Sequence, residues 1–166
     1  MKVLTLGSDT QAKEMLPPDT EFDKAYRPEK HGYYDIIFLG HYLQFKDRKE
    51  VGPFLRNLRD CLVEDGELWV SVPSLEYAAL QILKDDSPSF DAFTAIYGDD
   101  NHPHKCGFRL LELRLVVMNA GYEIRRAIQE AYKISMTTKD GTQEMLSMQN
   151  LVIAAKHDGN PAEAIG

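Results

Sequence analysis

Four short groups of residues carry side chains and backbone that could do chemistry: Gly7-Ser8-Asp9, Asp23, Gly40-His41-Tyr42 and the two serines Ser71 and Ser74. Each closes or directly follows a short β-type apolar run. In an open α/β sheet, ligands sit beyond the carboxyl ends of the parallel strands, so the four groups are expected to converge on one crevice. A glycine after a strand lets backbone approach a ligand and take up φ > 0. A neutral histidine on a strand-end loop can accept a proton near pH 7. A fifth group, His102, His104 and Cys106, has alternating spacing that could offer three bonds to zinc. No second ligand group is visible elsewhere, and no metal is expected.

The elements that must hold these groups can be read from spacing. Residues 2–6 form a short strand, and residues 10–21 leave room for a turn or two of helix before Pro17-Pro18 ends it. Phe22-Asp23 closes a second short strand. Residues 36–39 are an apolar run too short for a helix. Asp47 then offers an N-cap with Glu50 three residues on, a capping-box arrangement, and Pro53 is expected in the first turn. Val51, Phe54, Leu55, Leu58, Cys61 and Leu62 recur at helical spacing. Asp65-Gly66 is expected to stop the helix, with a strand over residues 68–72 ending at Pro73. Strand, crossover helix and strand predict a parallel βαβ unit.

Further on, Leu75, Ala78, Ala79, Ile82 and Leu83 give a helical face. Ser87-Pro88 predicts the start of another helix, lined by Phe90, Phe93 and Tyr97 and stopped by Gly98. Residues 99–107 are a polar loop. Phe108 begins a helix with Leu111, Leu115 and Met118 on one stripe and Gly121 as its stop. Residues 122–128 and 150–155 read as the last two strands, with a turn at Asp140-Gly141 between them. The expected organisation is one domain over residues 1–156 and a polar tail over 157–166.

Bulk properties exclude several classes. The chain has 166 residues, 43% of them hydrophobic and 27% charged, with a net charge of −7. That acidity argues against a nucleic-acid backbone binder, and Arg125-Arg126 reads as a solvated strand edge. Cys61 and Cys106 are far apart with no C-x-x-C, which suits a reducing setting. Met1-Lys2 leads straight into a strand, and no apolar run approaches a membrane span. A cytoplasmic protein with no membrane partner is expected. There is no G-x-S-x-G for a serine hydrolase and no G-x-x-x-x-G-K-S/T for a nucleotide kinase.

Residues 34–45 (YDIIFLGHYLQF) and 58–76 (LRDCLVEDGELWVSVPSLE) resemble the fourth and fifth strands of class I S-adenosylmethionine-dependent methyltransferases. Residues 96–122 (IYGDDNHPHKCGFRLLELRLVVMNAGY) resemble the H-x-x-G-F segment of that family's small bacterial and phage members. The resemblance implies a Rossmann-like three-layer αβα fold, mostly parallel, with a C-terminal antiparallel hairpin. It implies S-adenosylmethionine as cofactor, with Gly7, Ser8 and Asp9 near its amino-acid part, Asp23 on the ribose, and Gly40 and His41 in the pocket. His41, Tyr42 and His104 are the catalytic candidates. The substrate implied is a small or carbohydrate-like acceptor. The chain departs from the family at Asp9, where a second glycine is usual, and in the short spacing from Asp23 to Asp35. That compression leaves open a second reading: a degenerate, non-catalytic binding or assembly subunit, for example of a phage particle or enzyme complex. Either protein is compatible with a homo-oligomer.

Overall fold

The computed structural model describes residues 1–24, 30–84, 90–98, 101–138 and 141–156. Six strands form one sheet in the order β2-β1-β3-β4-β6-β5. The strands are β1 (Lys2–Gly7), β2 (Glu21–Asp23), β3 (Tyr34–Gly40), β4 (Leu62–Pro73), β5 (Tyr122–Thr138) and β6 (Gly141–Lys156). β2, β1, β3 and β4 run parallel, and β6 then pairs antiparallel with both β4 and β5. The described helices are α1 (Thr10–Met15), α2 (Arg48–Arg59), α3 (Leu75–Lys84), α4 (Phe90–Tyr97) and α5 (Leu110–Asn119), with a 3-10 turn at Leu43–Phe45.

Strand alternation assigns the two faces of the sheet. Leu4, Leu6, Ile37, Leu39, Leu68, Val70, Val72, Val152 and Ala154 join one core cluster with Val51, Leu55 and Leu58 of α2 and Leu113 and Val117 of α5. The opposite face carries Phe38 and Ser71, and α1 packs near β3 there. This second face has thinner cover, because α1 is six residues long and ends just before Pro17-Pro18. The expected mostly parallel α/β sheet with a C-terminal antiparallel hairpin is therefore present.

Several details differ from the sequence reading. Asp47 is the N-cap of α2, but its side chain makes no cap hydrogen bond and lies 3.8 Å from Lys105 Nζ. Pro53 falls in the second turn rather than the first, where it removes one i→i−4 bond. The helix ends at Arg59, and β4 begins at Leu62 rather than at residue 68. It runs through Asp65-Gly66 by placing Asp65 at φ 61° beside a register shift against β3. The stripe of α5 is also reversed. Leu111, Leu115 and Met118 are 55%, 47% and 44% exposed, while Leu113 and Val117 are fully buried. Spacing alone did not settle the inner face, because α5 carries apolar residues most of the way round. Leu83, placed on an apolar face of α3, is 82% exposed. The last two strands are 17 and 16 residues long, far beyond the ranges expected from sequence. Ser87-Pro88, the Lys139-Asp140 end of the hairpin turn and the tail 157–166 lie outside the described residues. No described helix is long and apolar enough to cross a membrane.

Candidate functional site

At the carboxyl ends of β1, β3 and β4, on the thinly covered face, lies a cavity of about 920 Å³. Its size is at the upper end of small-molecule sites. Phe38 and Ser71 of the sheet line the cavity, α1 borders it through Thr10, Gln11, Glu14 and Met15, and β5 and β6 run past the end of β4, so that Glu130 and Tyr132 form a far wall.

Gly7 and Gly40 set the mouth. Gly7 has φ 84°, and a Cβ on it would lie 2.2 Å from the Gly40 carbonyl oxygen. A Cβ on Gly40 would lie 2.0 Å from the Ser8 carbonyl oxygen. The Ser8 N–H donates to the Gly40 carbonyl at 2.8 Å. Both glycines are thus explained by the close approach of two strand ends. Ser8 and Gly40 line the cavity, and Gly7 lies just outside its wall.

His41 follows directly and lines the cavity. Its backbone sits at φ 52°, a left-handed conformation that costs about 1–3 kcal/mol for a residue with a Cβ and is tolerated where surroundings fix it. Its backbone N–H donates to the Ser71 carbonyl at 2.9 Å, and its ring meets Tyr132 edge-on at 4.6 Å. Nε2 lies 2.8 Å from Gln149 Oε1. The orientation of that amide is fixed from behind: Gln149 Nε2 donates to Glu130 Oε1 at 2.9 Å, and Gln11 Nε2 donates to the same oxygen at 2.7 Å. A carboxylate only accepts, so Gln149 must present its oxygen to His41. Nε2 therefore carries the hydrogen, and Nδ1 is the basic nitrogen. Burial holds the His41 pKa below its ordinary value, more than the Gln149 bond raises it. The ring is neutral at pH 7.

His104 also lines the cavity, with Nδ1 at 3.2 Å from the Ala95 carbonyl and its ring 5.3 Å from Phe45. It ties the 101–107 loop to α4, and its backbone N–H donates to the Tyr97 carbonyl at 2.9 Å. Tyr42 turns away from the cavity onto α2, 5.7 Å from the Phe54 ring. Asp9 is outside the wall and pairs with Lys13 at 2.9 Å and Lys24 at 2.5 Å, which together hold its pKa down to about 2. Asp23 is outside as well, and its Oδ2 accepts from the buried Tyr34 hydroxyl at 2.7 Å. Burial and that carboxylate together raise the Tyr34 pKa. The Cys106 thiol donates to the Leu43 carbonyl at 3.3 Å, so it does not join His102 and His104 around a common point. Among the described residues no three His, Cys, Asp or Glu side chains converge as a metal would require.

Sequence reasoning missed Gln11, Gln44, Glu130 and Gln149. Gln149 sits one residue before the stretch read as the last strand, and Glu130 two residues after the other. Their role depends on a hairpin longer than spacing indicated.

No protein-family model matches the chain, and no curated protein matches it either. Solved structures do. The chain is similar to a SAM-dependent methyltransferase from Methanosarcina mazei at 13% identity and a TM-score of 0.52, over 94% of this chain and 81% of that one. It is similar to the YcgJ protein of Bacillus subtilis at 11% identity and a TM-score of 0.56, over 95% and 92%. A third likeness is to an S-adenosylmethionine-dependent methyltransferase from Mesorhizobium loti, at 13% and 0.52, over 93% and 79%. At these identities the likeness establishes the fold: the Rossmann-like architecture of class I methyltransferases.

Proposed function

We propose that this chain is an S-adenosylmethionine-dependent methyltransferase acting on a small acceptor. The observation that carries the reading is the cavity at the carboxyl ends of β1, β3 and β4, with His41 in its wall in a defined neutral tautomer. The residues present fit the cofactor in size and charge. About 920 Å³ accommodates a drug-sized molecule together with a small partner, and the Glu14 and Glu130 carboxylates suit a ligand bearing a sulfonium and an ammonium. Ser8, Gln11 and Gly40 would hold the amino-acid end. Asp23, outside the cavity wall with Oδ2 on the Tyr34 hydroxyl, is assigned no part in holding the cofactor.

When bound, the cofactor supplies an already activated methyl group, so alignment matters more than acid or metal assistance. The protein's own contributions follow from the geometry. Gln11, Glu130 and Gln149 hold the His41 tautomer, His41 Nδ1 accepts the proton released by the acceptor, and His104 anchors the loop that covers Phe45. Tyr42, packed on Phe54, supports the turn that carries His41.

Calorimetric titration of the full chain with S-adenosylmethionine tests the reading, with Ser8→Phe as the control. Ser8 is exposed and lines the cavity mouth, so a ring there blocks ligand entry without disturbing the core. Saturable heat with the wild type and none with Ser8→Phe is expected. No heat with the wild type at millimolar cofactor would mean that the fold serves as a binding or assembly module instead. Gly7→Val cannot serve as this control, because its side chain would strike the Gly40 carbonyl and perturb the fold itself.

A further inference from the structure

Two polar side-chain atoms in the cavity wall are buried and unpaired: Gln44 Oε1 and Ser71 Oγ. Gln44 is 3% exposed and Ser71 is fully buried. More than nine in ten buried polar groups find a partner inside the protein or in ordered water, and an orphan costs about 1–3 kcal/mol. Both residues are held where they are by their backbones. The Gln44 carbonyl accepts from the Lys105 and Cys106 N–H groups at 2.7 and 3.2 Å, and the Ser71 carbonyl accepts from His41. Both side chains belong to residues that line the cavity, and both carry a polar atom without a partner.

Their chemistry restricts what they can receive. Gln44 Oε1 is an acceptor only, and Ser71 Oγ accepts or donates. His41 Nδ1 is a third acceptor, by the tautomer derived above. Among the described residues that line the same cavity, Glu14 and Glu130 bear carboxylates and Lys133 an ammonium. Phe45 on one side and Tyr132 on the other offer ring faces and edges. Donors line the cavity too, Thr10, Thr94 and Lys133 among them, but these unpaired acceptors and the two carboxylates favour a ligand that brings hydrogen-bond donors over an anion.

We propose that Gln44 and Ser71 form the seat of the methyl acceptor, and that this acceptor is a planar, neutral or cationic compound presenting N–H donors rather than a carboxylate or phosphate. The word acceptor rests on the methyltransferase reading; the seat itself does not. In the transfer, an acceptor seated as a cation first releases one N–H proton to solvent; the neutral nitrogen's lone pair then forms the new N–C bond as the methyl–sulfur bond breaks, with its electron pair going to sulfur. The proton left on nitrogen passes to His41 Nδ1.

Three isosteric probes test the seat without cofactor: benzamidine, benzamide and benzoate share one ring and differ in headgroup donors and charge. Each is titrated into the full chain and followed by amide chemical shifts. Benzamidine is expected to bind best, benzamide next, and benzoate at least about tenfold more weakly than benzamidine, as the loss of charge-assisted bonds implies. Gln44→Met and Ser71→Ala should each weaken benzamidine several-fold while leaving the melting temperature equal or higher, because each removes an unpaired polar atom. Benzoate binding as well as benzamidine, no benzamidine binding, or indifference to both substitutions would overturn the seat. A repeat with saturating S-adenosylhomocysteine separates the two claims. Simultaneous binding supports an acceptor seat, and displacement would reassign Gln44 and Ser71 to the cofactor's own amine. No effect together with no cofactor heat would sink the methyltransferase reading and leave the amine seat standing.

Discussion

Replacing Gln149 with glutamate turns the neutral acceptor of His41 into a charged one while keeping its length. In the native chain the Nε2–Oε1 contact is 2.8 Å, which puts the charge centres of an imidazolium and a carboxylate about 4 Å apart. Two unit charges at that separation attract by about 1 kcal/mol in water and about 4 kcal/mol at an effective dielectric near 20. At about 1.4 kcal/mol per pKa unit, the His41 pKa should rise by about 1–3 units from its depressed native position. The upper end requires Glu130 to yield, since the new carboxylate would meet it where the amide now donates at 2.9 Å. The two acids would share a proton or repel.

The assay is an NMR titration of the imidazole nitrogens from pH 5 to 8. In the native protein His41 should stay neutral, in the Nε2–H form, down to below pH 6.5. In Gln149→Glu it should charge at higher pH, and in Glu130→Gln, where either amide orientation of Gln149 is satisfied, the tautomer should become mixed. Stability gives an independent readout with a definite sign. Native His41 binds its proton later than the unfolded chain does, so folding stability is flat above about pH 6.5 and falls as pH drops below it. In Gln149→Glu the folded pKa moves back up toward the unfolded value, so the loss of stability on acidification below about pH 6.5 should shrink relative to the native chain. A native His41 in the Nδ1–H form, or one titrating at or above 6.5, would refute the tautomer assignment and the base role built on it.

Gly7→Ala should destabilise the fold by at least about 2 kcal/mol in urea unfolding, since its Cβ would lie 2.2 Å from the Gly40 carbonyl at φ 84°. An unchanged midpoint would show that the strand ends are not packed as described. On α5, Val117→Ala should cost about 1–3 kcal/mol and Leu115→Glu no more than about 0.5 kcal/mol, because the first is fully buried and the second 47% exposed; the opposite ranking would restore the stripe expected from sequence.

The parallel core was legible because its signals are local. A four-residue apolar run, Asp47 at a helix start, and residues 68–72 ending at Pro73 each specify one element, and a parallel pairing with a crossover helix follows from their order. Gly7 and Gly40 were legible as strand ends. Their cause was not, because the contact that requires them joins residues 33 positions apart in sequence that meet only in the fold. Asp9 and Asp23 show the same limit from the other side. A lone acid after a strand looks free to take a ligand, and only the fold reveals that Lys13 and Lys24 surround one carboxylate and the Tyr34 hydroxyl meets the other.

What sequence could not supply is the far wall of the site. The β5–β6 hairpin sets Gln149 and Glu130 level with Pro73, the last residue of β4, and carries Tyr132 two residues past it. This hairpin converts His41 from a histidine at a strand end into one with an assigned proton. The chain Gln11–Glu130–Gln149–His41 joins α1 to both strands of the hairpin and ends at one imidazole. A short α1 borders the cavity, and a long C-terminal hairpin closes its far side. Without Gln149, Glu130 and Tyr132 of the hairpin, His41 would lose the burial and the acceptor that fix it, with a pKa nearer its ordinary value and no preferred tautomer.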